Sequence, residues 1–202
     1  MKKFIWFIIK SIPSLRFFYE TRHTQTPIRF RMWFFQKILG FNRKAYWPVH
    51  FTSIVSNYKN IYVGIDTSPG YSPGCYIQGG GIVYVGDYTQ IAPNVGIISS
   101  NHDLHDSRKK VVGEVKIGKY CWIGMNAMIL PDITIGDFTI VAAGSIVTKS
   151  FPKGHCVIGG NPAKIIKNLE KEKCIPFKNK FEYNGYIRNK DFELFRKRNL
   201  NV

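Results

Sequence analysis

The sequence predicts an all-β-dominated chain wound as one continuous coil of very short strands, with helical flanks. Three observations carry this. First, residues 117–152 divide into six hexads, IGKYCW, IGMNAM, ILPDIT, IGDFTI, VAAGSI and VTKSFP. Second, every hexad opens on a β-branched aliphatic: Ile117, Ile123, Ile129, Ile135, Val141 and Val147. Third, small residues follow it (Gly118, Gly124, Gly136, Ala142), and the fifth place is mostly small or short (Cys121, Ala127, Thr139, Ser145). An amphipathic helix repeats near 3.6 residues and a strand at 2, so a period of six fits neither. It fits short strands joined by tight corners, with the aliphatic inward and the small residue letting the backbone turn. Each coil then buries its inward residues against its neighbours, which makes one continuous core.

Residues 1–47 form a basic, aromatic N-terminal segment. The apolar run Phe4–Ile9 is broken by Lys10, too short to span a bilayer, and no secretory cleavage pattern follows it. Ile28, Met32, Phe35, Ile38 and Leu39 recur at helical spacing, and Gly40 is a stop. Such a segment is either an interfacial anchor on anionic lipid or a lid on the open end of the coil.

Residues 48–163 hold the coil. Val63-Gly64 fits a repeat start, and a turn-rich patch runs from Ser68 to Gly74. Gly79–Gly81 lacks the GKS/T of a phosphate loop. Clean hexads resume at Val85, Ile91 and Ile97, then break: Ile97 to Ile117 is twenty residues. A coil accepts such an insertion as a loop thrown from one corner, and loops of this kind often form the binding face. The loop, 99–114, carries Asn101-His102-Asp103-Leu104-His105-Asp106 and then Arg108-Lys109-Lys110. Residues 164–202 form a basic tail, with a helix expected over 163–173 and less order beyond.

With 202 residues the chain suffices for one domain with appendages. Its net charge of +16 points to an anionic partner. The excess lies in the flanks: residues 1–50 carry ten basic and one acidic residue, residues 51–163 eight and seven, residues 164–202 eleven and five. No recognition helix or stacking-sheet motif supports nucleic acid. Cys75, Cys121, Cys156 and Cys174 form no CxxC pair and read as reduced thiols of a cytosolic protein.

The hexads, the loop SSNHDLHDSR, Trp122-Ile123-Gly124, the run Ala143–Lys149 and Gly160-Asn161-Pro162-Ala163-Lys164 together resemble the hexapeptide-repeat acyltransferases, of the maltose/galactoside O-acetyltransferase type and the relatives that decorate surface polysaccharides. The likeness covers residues 60–168. It implies a single-stranded left-handed parallel β-helix, a homotrimer, acetyl-CoA as donor, and active sites between subunits. It implies His102 as general base, a role the chemistry also supports, since a neutral imidazole titrates near ~6.5 and suits proton removal from an attacking hydroxyl. No Ser or Cys nucleophile with a partnered base matches a motif, so direct transfer in a ternary complex is expected.

His105 either contacts acceptor or simply lies on the loop; Asn94 either bonds acceptor or turns a corner. Asp103 or Asp106 is a candidate to orient an imidazole, a task that the family often gives to a backbone carbonyl. By resemblance Trp122 shapes the pocket near the thiol end, Met125 and Ala143 border the pantetheine arm, and Thr148 and Lys149 with Lys164 or Lys167 meet the nucleotide phosphates. Some hexapeptide-repeat proteins use three histidines for zinc; His23, His50 and His155 do not occupy matching places, so no metal is expected. The expected acceptor is a sugar or glycan hydroxyl, lipid-linked if the enzyme rests on the cytoplasmic face of the plasma membrane. An amino sugar, serine, an antibiotic, or a non-catalytic scaffold remain alternatives.

Overall fold

A computed structural model of the chain describes residues 11–12 and 15–202. The apolar run Phe4–Ile9 lies outside the described residues. The coil holds β1 (Ile54–Ser56) and β2 (Ile61–Val63) in its first turn. The second turn holds β3 (Tyr76–Gln78), β4 (Ile82–Val85) and β5 (Gln90–Ile91). The third begins with β6 (Gly96–Ile98) and throws out a hairpin of β7 (Ser100–His102) and β8 (Lys110–Val112). It resumes with β9 (Glu114–Ile117) and β10 (Trp122–Ile123). The fourth holds β11 (Met128–Ile129), β12 (Ile133–Ile135) and β13 (Thr139–Val141). The fifth holds β14 (Ile146–Val147), a bridge from Phe151 to Ile135, and β15 (Cys156–Gly159).

Strands stack into three parallel faces. The first is β1-β3-β6-β11-β14, the second β2-β4-β9-β12, the third β5-β10-β13-β15. Register follows the hexads: Ile129 pairs with Val147, Ile123 with Val141 and Ile117 with Ile135, eighteen residues apart, or three hexads per turn. Ile97 pairs with Ile129, thirty-two residues on, which places the whole insertion on the edge between the first and second faces. All six hexad-opening residues from Ile117 to Val147 are buried, and so are the fifth residues Cys121, Ala127, Ile133, Thr139, Ser145 and Phe151.

The corners show why position two is small. A Cβ on Gly124 would lie 2.6 Å from the Ala143 backbone nitrogen of the next turn. Position four turns the chain. Tyr88, Asn94, Tyr120, Asn126, Asp132 and Phe138 all have φ between 53° and 63°. Asn and Asp accept this left-handed conformation readily; large side chains resist it. On the edge between the second and third faces the cost is offset by a ladder of rings. Tyr88 stacks on Tyr120 at 5.3 Å, Tyr120 on Phe138 at 4.8 Å, and Phe138 meets His155 at 5.1 Å.

The flanks close the base together. α1 (Arg16–Glu20) is followed by α2 (Phe30–Trp33), which continues as a π-helical turn, Phe34–Ile38, and ends at Gly40. Trp47 is fully buried and its indole N–H donates to the Pro69 carbonyl at 2.7 Å. Gln36, also fully buried, donates to the Trp47 carbonyl at 2.8 Å and accepts from the Val49 N–H at 3.2 Å. These bonds fasten the segment that ends at Trp47 to the first turn of the coil.

The tail departs from expectation. Residues 163–173 are not helical. β16 (Lys164–Asn168) runs antiparallel to β15 on the third face, followed by a 3₁₀ turn, Lys171–Lys173. The last turn of a coil leaves a row of unpaired backbone groups, and the next segment satisfies them as a strand. Beyond it the chain is ordered: β17 (Tyr183–Asn184), β18 (Ile187–Arg188) and α3 (Asn189–Asn199) return to the base. There Arg188 pairs with Glu20 at 2.6 Å, Tyr183 donates to the same carboxylate, and Phe192 packs on Tyr46 and Tyr62.

Candidate active site

His102 ends β7 on the exposed hairpin, opposite Lys110. The hairpin tip is tied by its aspartates. Asp103 accepts the N–H groups of His105 and Asp106, both at 2.9 Å, and these hold its carboxyl below the usual range. Asp106 accepts from the Arg108 side chain and backbone, which lower its carboxyl likewise, and pairs with Lys109 at 3.6 Å. The bonds of both aspartates go to His105, Asp106, Arg108 and Lys109 and not to the imidazole. Instead His102 Nδ1 lies 2.5 Å from the Ser107 carbonyl oxygen. A carbonyl only accepts, so Nδ1 carries a proton, and in the neutral ring the lone pair is then on Nε2. The contact orients the ring and selects, for the neutral imidazole, the tautomer whose outer nitrogen is a base. Of the orienting groups considered, a backbone carbonyl and not an aspartate meets the ring in this geometry.

The other expected residues fall into two sets. Thr148 and Lys149 follow β14 on the same edge as the hairpin, two turns further along, or roughly 10 Å at one strand spacing per turn. His105 is exposed at the hairpin tip. These form the first set. The second lies on the edge between the third and first faces and on the third face itself. Met125 and Ala143 are exposed on successive corners, with the Gly144 N–H donating to the Met125 carbonyl at 2.8 Å. Asn94 is the corner residue of the turn below, at φ 59°, with its N–H on the Pro73 carbonyl. Trp122 stands out from β10, and Lys164 and Lys167 lie on β16, where they are edge-strand residues rather than part of a helix. One chain does not bring the two sets together, because the first face lies between them.

Sequence reading missed the aromatic ladder and Phe177, which packs on Tyr88 and Tyr120 at 4.9 and 5.5 Å. With Gln90, Trp122, Phe138 and Ile175 these rings wall a cleft of about 450 Å³. The signal was present: Tyr88, Tyr120 and Phe138 all hold the fourth hexad place. Three of the four cysteines are buried, and burial pushes the Cys121 thiol up to about 12.

Residues 114–149 match the bacterial transferase hexapeptide (six repeats) model. Galactoside O-acetyltransferase of Escherichia coli (strain K12) is 38% identical over 102 residues, covering 48% of this chain and 49% of that protein. The chain spans about half the length of the curated relatives it matches. A solved galactoside acetyltransferase in complex with coenzyme A superposes with a TM-score of 0.60 at 27% identity, over 82% of this chain and 84% of that one. A maltose O-acetyltransferase from Clostridium difficile 630 gives 0.51 at 33% identity, over 59% of this chain and 64% of that one. With its hexads stacked three to a turn and its hairpin on one edge, the chain carries the repeats of that transferase model over residues 114–149 and has the left-handed parallel β-helix of these acetyltransferases.

Proposed function

We propose that the protein is an acyl-CoA-dependent O-acyltransferase that moves acetyl from acetyl-CoA to a sugar hydroxyl, with His102 as general base. The observation that carries this is the Ser107 carbonyl on Nδ1, which leaves Nε2 free to take a proton. Nε2 removes the hydroxyl proton as the sugar oxygen attacks the thioester carbonyl. The tetrahedral intermediate collapses with cleavage of the C–S bond, and the imidazolium returns its proton to the departing thiolate. A backbone N–H of a neighbouring turn is the expected oxyanion donor. A cysteine acyl-enzyme is disfavoured, since Cys121 is buried and its thiol is held neutral. The likeness to galactoside and maltose O-acetyltransferases supports the donor and the acceptor class.

The split of the site residues supports a second point. His102, His105, Thr148 and Lys149 meet Asn94, Trp122, Met125, Ala143, Lys164 and Lys167 only where the first edge of one prism faces the other edge of a neighbour. Contact between two different surfaces repeats head to tail and forms a ring where the rotation closes. We assign that ring as a homotrimer with its acyl-CoA groove in each seam. The acceptor belongs to surface polysaccharide synthesis on the cytoplasmic side, where acetyl-CoA is made. The test is acetyl-CoA turnover against a panel of sugars, amino sugars, serine and antibiotics, read by thiol release. His102→Ala should lower turnover on the responsive sugar by about 10²–10⁴-fold while CoA still binds. Turnover at the wild-type rate would remove His102 from the mechanism, and failure of the wild type to bind CoA in calorimetry would leave a scaffold.

A further inference from the structure

The base of the prism carries an apolar ridge. Phe30, Phe34 and Ile38 recur four residues apart along α2 and its π-helical continuation, and Leu39 and Phe41 extend the row. Phe30 is 66% exposed, Ile38 52% and Leu39 51%. Their rings are continuous: Phe30 to Phe34 at 6.2 Å, Phe34 to Phe35 at 6.3 Å, Phe35 to Phe41 at 6.1 Å and Phe35 to Phe51 at 4.6 Å. The opposite side of the same segment is fastened down by Ile28 and Gln36, both buried. The ridge is therefore a fixed surface, not a loose helix.

Its fringe has one sign. Residues 28–44 contain five basic residues and no acidic one. Lys37 turns inward, donating to the Arg43 and Ala45 carbonyls at 3.0 and 2.9 Å. Arg29, Arg31, Arg43 and Lys44 face solvent, and the last two line a cleft of about 430 Å³ beside Gly40. Exposed aromatics and aliphatics within a ring of cations match the boundary between acyl chains and anionic headgroups. A second copy laid face to face on this ridge would oppose cation to cation. Nucleic acid would satisfy the cations but leave Ile38 and Leu39 in water.

We propose that this ridge docks on an anionic lipid leaflet with the base of the β-helix toward the membrane, and that the acceptor is a glycan carried by that membrane. The second clause rests on the acyl-transfer reading above; the first does not. The hairpin with His102 leaves the third turn, roughly 10 Å along the axis from the first. Thr148 and Lys149, assigned to CoA, sit in the fifth, at the end away from the bilayer. A sugar held just outside the headgroups and a donor arriving from solvent would then meet at the hairpin.

The test is flotation of the full-length protein with phosphatidylcholine vesicles and with the same vesicles containing phosphatidylglycerol. Wild type should float with the anionic vesicles only, and less at high salt. Phe30→Ser/Ile38→Ser should lower the bound fraction about tenfold or more, since binding scales with buried apolar area. Arg29→Gln/Arg31→Gln should remove the preference for phosphatidylglycerol. Both pairs should melt like wild type and turn over a soluble sugar at the wild-type rate, so loss of transfer and loss of docking are read separately. A wild type that stays with neither vesicle overturns the proposal. So does serine-variant binding equal to wild type, which would place the contact elsewhere. So does a fall in oligomeric mass of the serine variant, which would show a second copy covering the ridge.

Discussion

Replacing Gln36 by leucine tests whether the base is held by one side chain. The amide has five hydrogen-bond partners, two of the three carbonyls sharing one N–H. Nε2 donates to the carbonyls of Asn42 at 3.2 Å, Ala45 at 3.4 Å and Trp47 at 2.8 Å. Oε1 accepts the Val49 N–H at 3.2 Å and the Tyr186 hydroxyl at 2.6 Å. Leucine fills similar volume but bonds nothing. It strands the buried Val49 N–H and Trp47 carbonyl and the partly buried Tyr186 hydroxyl. At about 1 kcal/mol for each stranded group, the low end of the range, the loss is about 3 kcal/mol. For a chain of this length that corresponds to a fall in Tm of roughly 6–12 °C. Calorimetry and urea melts read the effect directly. Adding Tyr186→Phe removes one stranded group, so the double variant should recover about 1 kcal/mol relative to Gln36→Leu alone. A Gln36→Leu protein within about 0.5 kcal/mol of wild type, or a double variant whose losses simply add, would show that Gln36 is not the clasp.

Two other groups give predictions with a definite sign. Burial, with the Arg43 charge beside it, lowers Lys37 from 10.5 to about 8. Between those values the unfolded chain holds the proton and the folded chain does not, so rising pH favours the fold. Wild type should gain stability relative to Lys37→Met as pH climbs from about 8 toward 10.5, in urea midpoints taken at both ends. A relative loss over that window would mean that Lys37 stays charged in the base. Cys121 has its thiol pushed up to about 12 by burial, whereas Cys174 is partly exposed. Iodoacetamide at mildly alkaline pH should label Cys174 first and reach Cys121 only on unfolding, as peptide mass spectrometry would show; equal rates would contradict the packing.

The coil was legible in the sequence because its geometry repeats at the same interval as its residues. Ile123 and Val141 are equivalent in chemistry and adjacent in space, so period alone placed both in the core. The corners were half legible. Position four carries Asn94, Asn126 and Asp132, residues tolerant of the left-handed turn, but Tyr88, Tyr120 and Phe138 hide that rule because they hold the turn through contact with one another. Asn94 belongs to that corner series by its φ of 59°. The tail was misread for a different reason. Lys164–Asn168 has no strong pattern of its own and takes its form from the open edge of β15. Likewise the clasp joins Gln36 to Tyr186, 150 residues apart, and no local signal announces such a pair.

Motif residues were found one by one, yet a three-faced prism cannot turn two of its edges toward one ligand. His102 and Lys149 share one edge, while Met125, Ala143 and Trp122 lie around the next corner and beyond it. A thioester held between those sets needs two prisms, and what a second prism presents is the same sequence again. In the proposed ring a single chain therefore supplies a base to one seam and a groove wall to another. Mixing His102→Ala chains with chains altered at Met125 should then restore one complete seam in some rings, and activity should exceed that of either variant alone. If each site were built within one chain, the mixture would show only the average of the two.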